Sequence, residues 1–211
     1  MLIKPGSALL APMAGYTDAA LRYLCVEQGA ALTYTEMVSA MGLRYGSEKT
    51  KSLISFAENE KRLGVQLFAA QPEALADSIC RLQDAYGERI AVFDINMGCP
   101  APKITGGGQG CALMTDMPRA SRLIEAAVKV SRLPITIKFR KGWDDSSVNA
   151  VEFARMAEQS GAAAVTVHGR CARSFTAAAA TYPSSNRSRK PSASPSSATA
   201  TFFMPKTPPI C

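Results

Sequence analysis

Phe93-Asp94-Ile95-Asn96-Met97-Gly98-Cys99-Pro100 is the stretch whose reading decides the fold of this chain. The apolar, β-branched run from Ile90 to Ile95 predicts a strand. Gly98 and Pro100 cannot continue a ladder and predict a loop, so Cys99 falls just past the carboxyl end of that strand. In parallel α/β folds this is where ligands bind and chemistry occurs. A thiol there, with Asn96 beside it, is a candidate proton donor or nucleophile, although an isolated cysteine is more often a buried structural one.

Working outward, the same grammar repeats. Leu9–Ala11 and Ala31–Tyr34 read as short strands, with Thr17 or Asp18 capping a helix over Ala19–Glu27 between them. A helical stretch follows around Val38–Gly46, then strands over 63–68, 90–95, 135–140 and 164–168. Helices from Pro72 to about Tyr86, Pro118 to Val130 and Glu152 to Gln159 separate those strands. Alternation of this kind predicts an α/β fold with a parallel sheet and crossover helices. The glycine-rich run Gly106–Gly110 predicts a flexible loop; it lacks the Lys-Ser/Thr ending of a phosphate-binding loop, so it reads equally as a plain turn.

Polar side chains recur at the strand ends: Glu36, Gln66, Asn96, Lys138 with Arg140, and His168 with Arg170. Each alone has a structural reading, Lys138 as a snorkelling surface lysine and His168 as a satisfied core histidine. Parallel strands would gather all of them on one face, which favours a shared site at the mouth of a (β/α) barrel.

Composition bounds the alternatives. The 211 residues can bury a substantial core, and no run of 18 or more apolar residues exists to form a membrane helix. Pro5 and Pro12 interrupt the N-terminal apolar patch, which argues against a signal peptide. Six cysteines without a CxxC pair and a single histidine argue against a metal site and fit a reducing cytoplasm. The net charge of +7 is unevenly placed: residues 171–211 hold five Lys/Arg and no Asp/Glu, so the part before them is close to neutral.

These segments resemble the tRNA-dihydrouridine synthases, most closely their bacterial branch. The resemblance rests on Leu10-Ala11-Pro12-Met13-Ala14-Gly15-Tyr16-Thr17-Asp18, Val65-Gln66-Leu67-Phe68, Asp94-Ile95-Asn96-Met97-Gly98-Cys99-Pro100, Ala112-Leu113-Met114, Lys138-Phe139-Arg140-Lys141-Gly142-Trp143 and Val167-His168-Gly169-Arg170. It implies a TIM (β/α)8 barrel that reduces the C5=C6 bond of uridine in tRNA with FMN, NADPH being the electron source. It further implies that Pro12, Met13, Ala14, Gln66, Lys138 and His168 contact the flavin, that Asn96 and Arg140 hold the base, and that Cys99 donates the proton. A monomeric cytoplasmic enzyme without metal is expected. The competing readings are another FMN barrel that reduces a free pyrimidine, and an inactive fragment with non-specific RNA binding.

The resemblance stops at Arg170. Ser, Ala, Pro and Thr make up 27 of residues 171–211, which reads as a disordered low-complexity tail. Joining the third base of each codon over Lys190–Phe202 to the first two of the next permits AVGIPVIGNGDI, similar to the family's next strand and phosphate loop. We read this as a shifted frame near residue 170. The expectation is therefore an incomplete barrel of about six β/α units over 1–170, without the family's C-terminal helical tRNA-binding domain.

Overall fold

The computed structural model describes residues 6–173 and the backbone of 199–203. Its strands are β1 (Val38–Ser39), β2 (Leu63–Phe68), β3 (Ile90–Met97), β4 (Ile135–Arg140), β5 (Ala164–His168) and β6 (Thr199–Phe203), adjacent in that order in one sheet. The first five are parallel. The segments expected as the first two strands are present as single parallel bridges, Leu9 to Leu32 and Tyr34 to Gly64, and the second continues into β1. The helices are α1 (Ala19–Glu27), α2 (Ala40–Arg44), α3 (Glu48–Lys51), α4 (Pro72–Tyr86), α5 (Pro102–Thr105), α6 (Met117–Val130) and α7 (Ala150–Gln159). This is the expected α/β architecture, an arc of a TIM barrel with β strands inside and helices outside.

The helices form where the sequence both caps and faces them correctly. Asp18 caps α1 by accepting from the Leu21 amide at 2.9 Å, and Asp116 caps α6 by accepting from the Arg119 amide at 3.1 Å. Pro72 opens α4, whose buried Leu75, Ile79 and Leu82 recur at helical spacing against the sheet. Leu123, Ile124 and Ala127 of α6 and Phe153 of α7 cover the next strands, Phe153 meeting Phe139 with ring centroids 4.8 Å apart. Each such apolar side chain, wholly enclosed, contributes about 1.5–3 kcal/mol.

The strands divide their residues by a period of two. Val65, Leu67, Phe93, Ile95, Ile137, Phe139 and Val165 join the core between sheet and helices. The intervening residues Gln66, Asp94, Asn96, Thr136, Lys138, Arg140, Thr166 and His168 turn to the opposite, inner face. Register then aligns Gln66 with Asp94, Asn96 with Lys138, and Arg140 with His168. The polar residues of four strands thus become neighbours.

The tail departs from expectation at one place. Most of it lies outside the described residues, but Thr199–Phe203 pairs antiparallel with β5, from Ala164 opposite Phe203 to His168 opposite Thr199. The edge of β5 presents backbone groups that a segment containing Thr and Phe, residues suited to strands, can pair with. Among the described residues no helix is long and apolar enough to cross a membrane, and no group of His, Cys, Asp or Glu could hold a metal ion.

Candidate active site

Cys99 is held from three sides. Asn96 Oδ1 accepts from the backbone amides of both Gly98 (3.1 Å) and Cys99 (2.9 Å), closing a tight turn at the end of β3. Arg140 Nε donates to the Gly98 carbonyl at 2.8 Å from the neighbouring strand. The Cys99 carbonyl accepts from the Cys111 amide at 3.0 Å. Gly110 makes the last contact possible: its φ is +59°, and a Cβ there would lie 2.5 Å from the Cys99 carbonyl oxygen. The glycine-rich loop, expected to be flexible, instead continues from α5 into a 3-10 turn over Gly110–Thr115 that buttresses Cys99.

The half-buried Cys99 opens into a cavity of about 600 Å³. Pro100, Ala101, Thr105, Cys111, Trp143 and Arg173 are among its lining residues. Burial pushes the Cys111 thiol up to about 11, so it stays a neutral wall of this cavity at physiological pH.

Beneath Cys99 the inner face carries a hydrogen-bonded chain. Thr136 Oγ1 donates to Asp94 Oδ1 and Gln66 Nε2 donates to Asp94 Oδ2, both at 2.7 Å. Asn96 Nδ2 donates to Gln66 Oε1 at 2.9 Å and makes a long 4.0 Å contact with Met37 Sδ. Asp94 is 3 % exposed, and desolvation raises its pKa to about 6 against the opposing pull of Thr136, Gln66 and Lys138. The same dry environment lowers the pKa of Lys138, partly countered by Asp94. His168 is pushed down to about 4 by burial and by Arg140, Lys138 and Arg170, so its imidazole is neutral at pH 7.

The structure therefore brings Gln66, Asn96, Cys99, Lys138, Arg140 and His168 together at one mouth. Gln66 and Arg140 are buried, Lys138 and His168 half-buried. Pro12, Met13 and Ala14 lie on the loop before α1, with Met13 43 % exposed. That loop is tied down by Thr17, whose hydroxyl and amide bond the Met13 backbone, and by Glu36, which accepts from the Gly15 amide. Behind it the wholly buried Arg22 pairs with Glu60 at 2.8 Å and donates to the Thr17 carbonyl at 2.7 Å.

Asp94 and Thr136 are missing from the residues that sequence reasoning assigned to the site, whereas Glu36 was among the strand-end groups it gathered there. For Asp94 a signal was available: it precedes Asn96 by two, and the strand period places both on one face.

The description of a family model, dihydrouridine synthase (Dus), fits residues 9–186. The chain belongs to the dihydrouridine synthase family. Among curated relatives, the probable tRNA-dihydrouridine synthase of Rhizobium leguminosarum is 42% identical over 167 residues, 79% of this chain and 51% of that protein. That of Treponema pallidum is 37% identical over 176 residues, 81% of this chain and 51% of its own length. tRNA-dihydrouridine synthase B of Pseudomonas aeruginosa is 38% identical over 167 residues, 79% and 49% of the two chains. The chain spans about half the length of these relatives.

Proposed function

We propose that this site reduces the C5=C6 bond of uridine in tRNA, with FMN as the bound cofactor and NADPH as the reductant. The observation that carries the reading is the placement of Cys99: a half-buried thiol, anchored through its backbone to Asn96 of the inner polar face, and bordering a cavity of about 600 Å³ lined by the loop after β3, Cys111, Trp143 and Arg173. A cavity of that size accommodates a nucleobase.

The inner face suits a flavin by its donor set. Lys138 on β4 offers a cation, Gln66 on β2 an amide and His168 on β5 a neutral imidazole, while Pro12, Met13 and Ala14 on the loop before α1 offer an apolar and backbone surface. Bound there, FMN would supply the hydride that uracil accepts at C6. The chain's own residues supply the rest. Saturation at C5 needs a proton, which Cys99 Sγ donates and then regains from solvent. Asn96 and Arg140 hold the base, Asn96 by turning to it the N–H now resting on Met37 sulfur, a contact long enough to be replaced by a base carbonyl. The uracil must leave its stack to reach this depth. Work on tRNA with NADPH places the protein in the cytoplasm, and we expect it to act as a monomer without metal.

The test is absorbance of the purified chain after incubation with FMN, followed by NADPH-dependent conversion of uridine in tRNA by the native chain and by Cys99→Ser. Flavin bound by both, with product only from the native chain, is the expected result. A chain that binds no FMN, or Cys99→Ser that makes product as fast as the native chain, refutes the assignment.

A further inference from the structure

We propose that Asp94 is a positioning residue for Cys99, because with Thr136 it anchors the far end of the Asp94–Gln66–Asn96 hydrogen-bond relay that ends on the amides of Gly98 and Cys99. One end of the relay cannot change. Backbone N–H groups only donate, so the Asn96 atom facing Gly98 and Cys99 must be its oxygen. Its Nδ2 then faces Gln66, which must present Oε1, leaving Gln66 Nε2 directed at Asp94. The group at position 94 must therefore accept. A carboxylate or an amide oxygen can do so; an apolar side chain cannot.

The opposite setting of Gln66 is doubly excluded. Turned over, its Nε2 would face the Asn96 amide nitrogen, and its Oε1 would face a carboxylate oxygen. Asp94 and Asn96 together hold Gln66 to one of its two rotations, Gln66 holds Asn96, and Asn96 holds the turn that presents the thiol. At its far end the relay is anchored across the sheet, since Thr136 on β4 donates to Asp94. The links cross between β2, β3 and β4, so the Cys99 turn is referenced to three strands.

The conservative substitution separates polarity from charge. In Asp94→Asn the Oδ1 can accept from Gln66 while Nδ2 donates to Thr136, whose hydroxyl rotates to donate elsewhere. Asp94→Leu offers neither, leaves Gln66 Nε2 without its acceptor and leaves Gln66 held from the Asn96 side alone.

The experiment is amide hydrogen exchange by NMR on the full chain, comparing Gly98 and Cys99 with Leu67 and Ile137 in the neighbouring strands as controls. Asp94→Leu is expected to lower protection at Gly98 and Cys99 about tenfold, the worth of one buried hydrogen bond, with the controls unmoved. Asp94→Asn is expected to restore it to within about twofold of the native chain. Unchanged protection at Gly98 and Cys99 in Asp94→Leu overturns the proposal, as does an equal loss in Asp94→Asn, which would make charge the operative property. Should Asp94→Leu expose every amide, Gln66→Met cuts the same relay one link nearer Cys99, and retained protection there overturns it equally. The proposal rests on Cys99 as the proton donor, but exchange needs neither flavin nor tRNA. An intact relay in a chain whose Cys99→Ser variant remains active would sink the functional assignment alone.

Discussion

Asp94→Asn should make this protein more stable at neutral pH, against the usual expectation for a change inside a polar site. The carboxyl is almost fully enclosed and its pKa rises from 3.8 to about 6, so folding penalises the ionised form even with Lys138 nearby. That displacement corresponds to about 3 kcal/mol. A carboxyl raised on folding gives its full stabilisation below its unfolded value and loses it as pH climbs through the folded one. Asparagine mimics the protonated acid at every pH. The two chains should thus be about equally stable near pH 4, and the variant should gain progressively up to pH 7, where the difference levels at about 3 kcal/mol as an upper bound. His168, pushed down to about 4, titrates over the same interval with the opposite sign, since its stabilisation is lost as pH falls. It does so in both chains and cancels from the difference. Urea unfolding midpoints of the two chains from pH 4 to pH 8 measure this directly. A variant less stable than the native chain at pH 8 would refute the reasoning, because the carboxylate would then be a net stabilising charge.

Three further outcomes follow from the geometry. Arg22→Ala or Glu60→Ala strands one member of a wholly buried ion pair and should lower unfolding free energy by about 3–5 kcal/mol. The double change Arg22→Met with Glu60→Leu should cost much less, and equal losses in urea titrations would contradict the account. Gly110→Ala forces a Cβ to within 2.5 Å of the Cys99 carbonyl at a φ of +59°. It should lower thermal stability by about 1–3 kcal/mol and alter the alkylation rate of Cys99, read on the peptide from Ile90 to Lys103; no change in either would disprove the buttress. Lys138→Met should weaken FMN binding about tenfold or more by fluorescence titration while leaving the far-ultraviolet spectrum intact, and undiminished affinity would remove Lys138 from the cofactor site.

The parts of the site that the sequence disclosed are those carried by local pattern. Alternation of apolar and polar residues in Asp94-Ile95-Asn96-Met97 and Thr136-Ile137-Lys138-Phe139-Arg140 is enough to place one set against helices and the other on a common face. Gly98 and Pro100 are enough to end a strand before Cys99. The tail was harder: Thr199–Phe203 has strand-forming residues, but its surroundings read as low complexity, and only the open edge of β5 offers the partner that makes it a strand.

By itself, then, the sequence determined the alternation of elements, the inner polar face and the position of Cys99 just past the end of β3, since each follows from side-chain period and backbone restriction within a few residues. The tertiary structure alone decided which polar groups meet. Gln66 and Asp94, Asn96 and Gln66, and Thr136 and Asp94 are 28, 30 and 42 residues apart in the chain, and their pairing depends on strand register. The same holds for charge. Asp94 looks like an ordinary carboxylate in the sequence, and only burial beside Lys138, which removes water without fully replacing it, lifts its pKa to about 6.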